Sequence, residues 1–274
     1  MVKTRNHAEP YLLDVVPPAH IAQLVEEVGI KKAELPLVPT VTLGVLAGAF
    51  IAFGGMFYTL VITGSELGLG PTRLLGGFAF SLGLILVVIG GAELFTGNNL
   101  ITLAWADGRV TAAGLIRNWA LVYLGNLVGA LGMAVLVHLS GTLSLGDGAV
   151  AATAVSIAQA KVALSPFHAF IRGVLCNTLV CLAVWMCFAA HTVSGKVLAI
   201  VFPITAFVAL GFEHSVANMY LIFIGAMQAG GAIGVVAFLA NLIPVTLGNM
   251  VGGAVLVALV YWLVYLRQAP VTTE

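Results

Sequence analysis

Charge is what this chain has little of. Asp, Glu, Lys and Arg together make up 8% of its 274 residues, and acids and bases cancel to a formal net charge of zero. Nucleic-acid partners are therefore not expected, since they require a basic surface. Cysteine is scarce as well. Cys176, Cys181 and Cys187 fall in one apolar run at spacings that suit neither a metal site nor a redox pair, so they read as small hydrophobes within a helix. There is no His/Cys/Asp cluster, no carboxylate pair at ligand spacing and no phosphate loop. No metal or other cofactor is expected, and no direct drive by ATP. No nucleophile–base pair stands out in the apolar runs, which argues against an enzyme. Residues 1–36 hold no apolar core followed by a small-residue cleavage site, so no removable signal peptide is expected.

Apolar residues are what remains. They form 61% of the chain, with a mean hydropathy of +1.10. No water-soluble domain of this length hides so much apolar surface, so the partner of this surface is a lipid bilayer. A bilayer core needs about 20 apolar residues per helix. Six runs qualify: 39–62, 74–106, 115–139, 168–190, 197–229 and 241–266. The expected fold is all-α, a six-helix transmembrane domain over 37–268. An N-terminal segment, 1–36, precedes it and a short tail, 269–274, follows. In that segment Ile21, Leu24, Val25 and Val28 recur at helical spacing after Pro17-Pro18, which predicts an amphipathic helix over 17–34 at the membrane surface. Residues 140–166 are the longest polar connection, with a short helix expected from Ala149 to Leu164. Residues 225–240 are expected to extend the fifth span and turn into the sixth. With the N-terminus in the cytoplasm, Lys3, Arg5, Lys31, Lys32, Arg109, Arg117, Lys196 and Arg267 lie inside, and only Arg73, Lys161 and Arg172 lie outside. That asymmetry places both termini in the cytoplasm.

The second and fifth runs are too long for straight crossings, and each carries the same polar interruption. Gly91-Ala92-Glu93-Leu94-Phe95-Thr96-Gly97-Asn98 reappears as Gly211-Phe212-Glu213-His214-Ser215-Val216-Ala217-Asn218. A second echo follows each copy, Gly125-Asn126-Leu127-Val128-Gly129 and Gly248-Asn249-Met250-Val251-Gly252. Three spans per half make the repeat inverted, as in transporters built from two similar halves, with half-helices meeting at each motif. Non-helical backbone at that depth is tolerated only inside protein or beside a cavity. The glycines four apart read as packing seams, and Asn126 and Asn249 are read with them as packing residues.

Of six histidines, His214 alone sits deep in a span. It could hold or pass a proton, or bond a carbonyl freed by the helix break. Glu93 and Glu213 are expected to be neutral, or bonded to backbone N–H groups at a half-helix start, stapling the breaks. Thr96, Asn98 and Asn218 offer neutral hydrogen bonds, and Thr96 is placed facing His214.

Four stretches, Glu93 to Thr96, Asn177 to Trp185, Gly211 to Met219 and Asn241 to Asn249, closely resemble the formate–nitrite transporter family. The resemblance covers about 20–268. It implies a homopentamer of aquaporin-like protomers, each with its own pore, although the Asn-Pro-Ala motifs of aquaporins are absent. It also implies a small monovalent anion as substrate, formate first, with nitrite or hydrosulfide as alternatives, carried across the inner membrane. Carried over by residue, His214 is the central histidine, Thr96 the threonine of the break, Lys161 the vestibule cation and Asn177 the asparagine of the fourth span. Phe80, Val180 and Phe207 resemble the outer constriction, and Leu84, Leu94 and Phe95 the inner one. Gly97 is similar to nitrite-type members, whereas Phe212-Glu213-His214 is similar to formate-type ones.

A mechanism follows as an expectation. Lys161 draws in the anion, which cannot cross an apolar ring bare. Low dielectric favours its neutral acid. A proton from vestibule water, or one relayed by His214, lets the acid pass, giving bidirectional, proton-coupled flux. A membrane-embedded enzyme and a neutral-solute channel are the rivals.

Overall fold

The computed structural model describes residues 16–267. Lys3, Arg5, His7 and the tail 269–274 lie outside the described residues. Every regular element among those described is helical. The order is α1 (Pro18–Glu34), α2 (Leu37–Ile62), α3 (Leu69–Gly90), α4 (Phe95–Asn98), α5 (Thr102–Ala106), α6 (Ala112–Leu139), α7 (Ala149–Val162), α8 (Pro166–Ala189), α9 (Val193–Ala209), α10 (Ser215–Gln228), α11 (Val235–Met250) and α12 (Val260–Tyr265). Asn99–Ile101 is a 3-10 turn between α4 and α5. Between α11 and α12 the chain stays helical but is wound as a π-helix over Val251–Leu259.

Five helices are long and apolar enough to cross a membrane: α2, α3, α6, α8 and the continuous α11–α12 rod, Val235–Tyr265. The fifth run of the sequence is divided into α9 and α10, each shorter than that threshold. In the second run the helix before the motif is not a half-helix. α3 has 22 residues and stops only at Gly91, whose φ of 78° ends right-handed winding. Gly211, with φ 73°, follows the end of α9 in the same way. The two linkers, 91–94 and 210–214, are thus set by a glycine in each copy of the motif. The last rod begins at Val235, earlier than expected, because Gly230 and Gly231 with positive φ turn the chain directly after α10.

The packing seams are where the sequence puts them. A Cβ at Gly129 of α6 would collide with the Val45 carbonyl of α2, and one at Gly252 would collide with the Val174 carbonyl of α8. Only glycine lets these backbones approach so closely.

α1 forms over the stretch where it is expected, and its apolar face has a protein partner. Ile21, Ala22 and Val25 are buried against protein, in one cluster with Leu100, Leu103, Trp185 and Val257. Those partners come from spans far along the chain, so periodicity alone could not reveal them. Burial carries the last turn of α1, with Lys32, to the first linker.

Candidate functional site

Each linker is held by a polar cluster, and the two clusters match residue for residue. At the first, Lys32 Nζ donates to Glu93 Oε1 at 2.6 Å and to Asn98 Oδ1 at 3.1 Å. Asn98 Nδ2 donates to Glu93 Oε2 at 2.7 Å and to Asn118 Oδ1 at 2.9 Å. Asn118 Nδ2 closes the ring on the Lys32 carbonyl at 2.9 Å. At the second, Lys161 Nζ donates to both Glu213 oxygens at 3.0 and 3.1 Å. Asn218 Nδ2 donates to Glu213 Oε2 at 2.6 Å and to Asn241 Oδ1 at 2.8 Å. Asn241 Nδ2 donates to the Lys161 carbonyl at 2.8 Å.

This corrects the expected partners of the glutamates. Among the described residues, neither carboxylate is capped by backbone N–H groups. A lysine compensates each one, as a buried charge requires. The free N–H groups at the linker ends go instead to Asn126 and Asn249. Asn126 Oδ1 accepts from Phe95 N at 2.9 Å, while its Nδ2 donates to the Gly44 and Glu93 carbonyls at 2.8 and 2.9 Å. Asn249 repeats the pattern with Ser215 N, the Gly173 carbonyl and the Glu213 carbonyl, at 2.8, 2.8 and 2.9 Å. These two asparagines are clasps, more than packing residues. Lys32, Asn118 and Asn241 were missed, although a signal exists. Asn118 and Asn126 stand eight apart, as do Asn241 and Asn249, and Lys32 and Lys161 each precede the clasped glycine by 12 residues.

The linkers bring Thr96 and His214 together. Thr96 Oγ1 lies 3.0 Å from His214 Nε2, and both residues are buried. His214 Nδ1 accepts from Ala217 N at 3.1 Å, so the ring caps its own helix, α10. A nitrogen that accepts carries no proton. The neutral ring therefore holds its proton on Nε2 and donates it to Thr96 Oγ1. The threonine hydroxyl proton is left for another acceptor. The Thr96 carbonyl is held from behind by Cys181 Sγ at 3.3 Å and Asn177 Nδ2 at 3.2 Å. Asn177 Nδ2 also donates to Asn99 Oδ1 at 2.9 Å and to the Asn249 carbonyl at 2.8 Å, tying the first linker to the clasp of the second. Asn177 Oδ1 is buried without a hydrogen-bond partner among the described residues.

Two cavities approach this pair from opposite sides. One, of about 340 Å³, reaches Leu84 and Leu94 past Lys32, Glu93 and Lys196. The other, of about 240 Å³, reaches Phe80, Phe207 and His214 past Lys161, Arg73 and Arg172. Phe80 and Leu84 are one turn apart on α3 and face different cavities. The wall between is therefore about one helical turn, ~5 Å, thick. Phe207 stacks on His214 with centroids 6.0 Å apart and meets Phe80 edge-on at 5.7 Å. Val180 and Thr96 are buried and line neither cavity. Phe95 is elsewhere. Its ring packs on Tyr123 at 4.9 Å and Trp119 at 6.2 Å, away from both cavities. The three cations assigned to one face by sequence, Arg73, Lys161 and Arg172, all line one cavity. Among the described residues no group of three or more potential metal ligands is present.

Paired cavities, closed off from each other by an apolar wall inside a body of apolar helices, define a channel-type membrane transporter. The chain belongs to the formate/nitrite transporter family, whose model, described as Formate/nitrite transporter, matches residues 19–263. It is 41% identical to the formate channel FocA of Escherichia coli K12, over 93% of this chain and 96% of that protein. A solved pentameric formate channel with formate bound is 40% identical, covers 84% of this chain and 98% of its own, and superposes with a TM-score of 0.78. A second solved structure, an FNT family ion channel, is 31% identical, covers 89% and 98%, and superposes with a TM-score of 0.81. The protein is a multi-pass membrane transporter and not an enzyme.

Proposed function

We propose that this protein carries formate, and more weakly other small monovalent weak-acid anions such as nitrite or hydrosulfide, in either direction across the inner membrane with proton coupling. Its α3–α4 and α9–α10 pairs serve as interrupted spans, making six spans in two inverted halves with both termini cytoplasmic. The assembly is a homopentamer, as in the pentameric relative, with one pathway per protomer.

The observation that carries this reading is the Thr96–His214 pair embedded in the wall between two cation-lined cavities. Cations gather anions at each mouth. The wall offers only a hydroxyl donor between apolar side chains, so a bare anion loses its water there without compensation. The neutral acid crosses at far smaller cost. The proton comes from cavity water in this scheme. His214 Nδ1 is already occupied by Ala217 N–H, so taking a second proton would break the cap of α10. His214 instead holds Thr96 so that its hydroxyl points to the passing substrate.

The test is flux into proteoliposomes with formate, nitrite, hydrosulfide and lactate at two pH values. Formate should move fastest, and faster as the outside pH falls. Flux blind to the proton gradient sinks the coupling, and nitrite ahead of formate reassigns the substrate. His214→Asn keeps an acceptor for Ala217 N–H, and coupling should survive in that variant. Lost coupling there would put His214 in the proton relay.

A further inference from the structure

The cavity that ends at His214 holds more positive charge than its one carboxylate balances. Lys161 spends its charge on Glu213, which it meets with both oxygens. Arg73 and Arg172 have no such partner. Neither makes an ion pair with a carboxylate among the described residues. The ionisable groups lining this cavity are Arg73, Lys161, Arg172, Glu213, His214 and Tyr58, so three cations face one carboxylate. The opposite cavity sets Lys32 and Lys196 against Glu93.

The two guanidinium groups come from different halves, Arg73 on α3 and Arg172 on α8, and are pinned at one place. Arg73 Nη1 donates to the Ala209 carbonyl at 3.1 Å, and Arg172 Nη1 to the Gly211 carbonyl at 3.4 Å. The Ala209 carbonyl is the last of α9, and the Gly211 carbonyl lies two residues beyond it, beside the helix end where the dipole favours cations. The Nη1 atoms lie 3.0 and 4.0 Å from the point where a Cβ on Gly211 would sit, so both reach the same spot beside the cavity. Each guanidinium has five donors and spends one here.

We propose that Arg73 and Arg172 form a docking site for small dianions, namely sulfate-like and phosphate-like oxyanions and short dicarboxylates, at the mouth of this cavity. Guanidinium forks match oxyanion edges in a bidentate way. Coulomb attraction doubles for a doubly charged ligand. A docked dianion cannot go further, because it would need two protons to cross the wall neutral. It therefore plugs the entrance and competes with monovalent substrate. The plugging rests on the transport reading; the docking does not.

Two measurements on the full-length protein separate these. Phenylglyoxal labels arginines, and peptide mass spectrometry reads each site. Sulfate should slow labelling of Arg73 and Arg172 at least threefold relative to chloride at equal ionic strength, with Arg117 as the unprotected internal control. In proteoliposomes, sulfate on both faces should raise the apparent KM for formate severalfold. The double variant Arg73→Gln/Arg172→Gln should lose that effect. Equal protection by chloride, or a sulfate effect that survives in the double variant, overturns the proposal. Vesicles that pass no formate at all count against the transport reading, and labelling then decides the site alone.

Discussion

The polar cluster at the first linker and the one at the second use the same residues in the same roles. Lys32, Glu93, Asn98, Asn118 and Asn126 correspond to Lys161, Glu213, Asn218, Asn241 and Asn249. The halves part company in the wall between the cavities. Leu94 stands where the other copy has His214, and Val216 where the first has Thr96. Gly48 of α2 answers to Asn177 of α8, and Ala130 of α6 to Gly253 of the last rod. Every unshared polar residue in that set, Thr96, His214 and Asn177, bonds to another residue of the wall or to its backbone. Symmetry holds the linkers open, and its local breaking equips them. Asn177 also has a structural cost. α6 runs as an ordinary α-helix, whereas its counterpart is π-wound over Val251–Leu259. A Cβ at Gly253 would collide with Asn177 Nδ2 and come within 2.8 Å of Asn99 and Cys181, so glycine makes the room that Ala130 need not make. π-winding often marks functional sites of this kind.

The comparison is broken most severely at the lysines. Lys161→Met leaves Glu213 buried without its cation and should cost about 3–5 kcal/mol. Lys32→Met should cost less, since the Lys32 side chain is 28% exposed against 15% for Lys161. Unfolding of the two variants in detergent ranks them, and a larger loss for Lys32→Met would refute the burial argument. Next comes the wall. Thr96→Val keeps the shape but removes the hydroxyl, and formate flux should fall about 2- to 10-fold, the value of roughly 0.5–1.5 kcal/mol for a hydrogen bond to the neutral acid. Val216→Thr in the opposite half should not restore flux to that variant, and restoration would show that either linker can supply the donor. Gly253→Ala should cost about 1–3 kcal/mol by overpacking. Adding Asn177→Gly should recover much of that loss, as the Gly48/Ala130 pairing already shows is packable.

The smallest effect separates α1 from α7. Burial, and then the nearby Asp107, raise the Glu26 carboxyl above its usual range, with Arg109 opposing. A raised carboxyl favours the protonated form in the folded state. Its contribution is complete at low pH and fades as pH rises through the raised value. Hydrogen exchange in α1 should therefore quicken as pH rises from acidic values, relative to α7, where Val155 occupies the corresponding place. Glu26→Gln should abolish the difference, and α1 exchange that tracks α7 throughout would dismiss it.

Some of the site is legible along the chain. The motif copies mark both linkers, because each copy carries a glycine that takes the left-handed conformation where its helix stops. The Gly-Asn-x-Val-Gly echoes mark both seams for a steric reason equally local. Periodicity finds α1, and alanine content finds α7, without showing what they do. Lys32 is 61 residues from Glu93, and Lys161 is 52 from Glu213, so the ion pairs appear only once α1 and α7 dock. Phe95 is assigned to the inner constriction by resemblance alone, and only the fold sets its ring against Trp119 and Tyr123.

By itself the sequence determined that this chain lives in a membrane, that it is helical, and that two polar interruptions divide it into related halves. Those properties follow from apolar length, missing charge and glycine sterics, all of which act over a few residues. Tertiary structure alone decided which lysine meets which glutamate, that Thr96 and His214 share a hydrogen bond across the two halves, and that His214 is held as a neutral donor. Those outcomes depend on how separate helices are set against one another, and a hydrogen bond near 3 Å is decided by that placement.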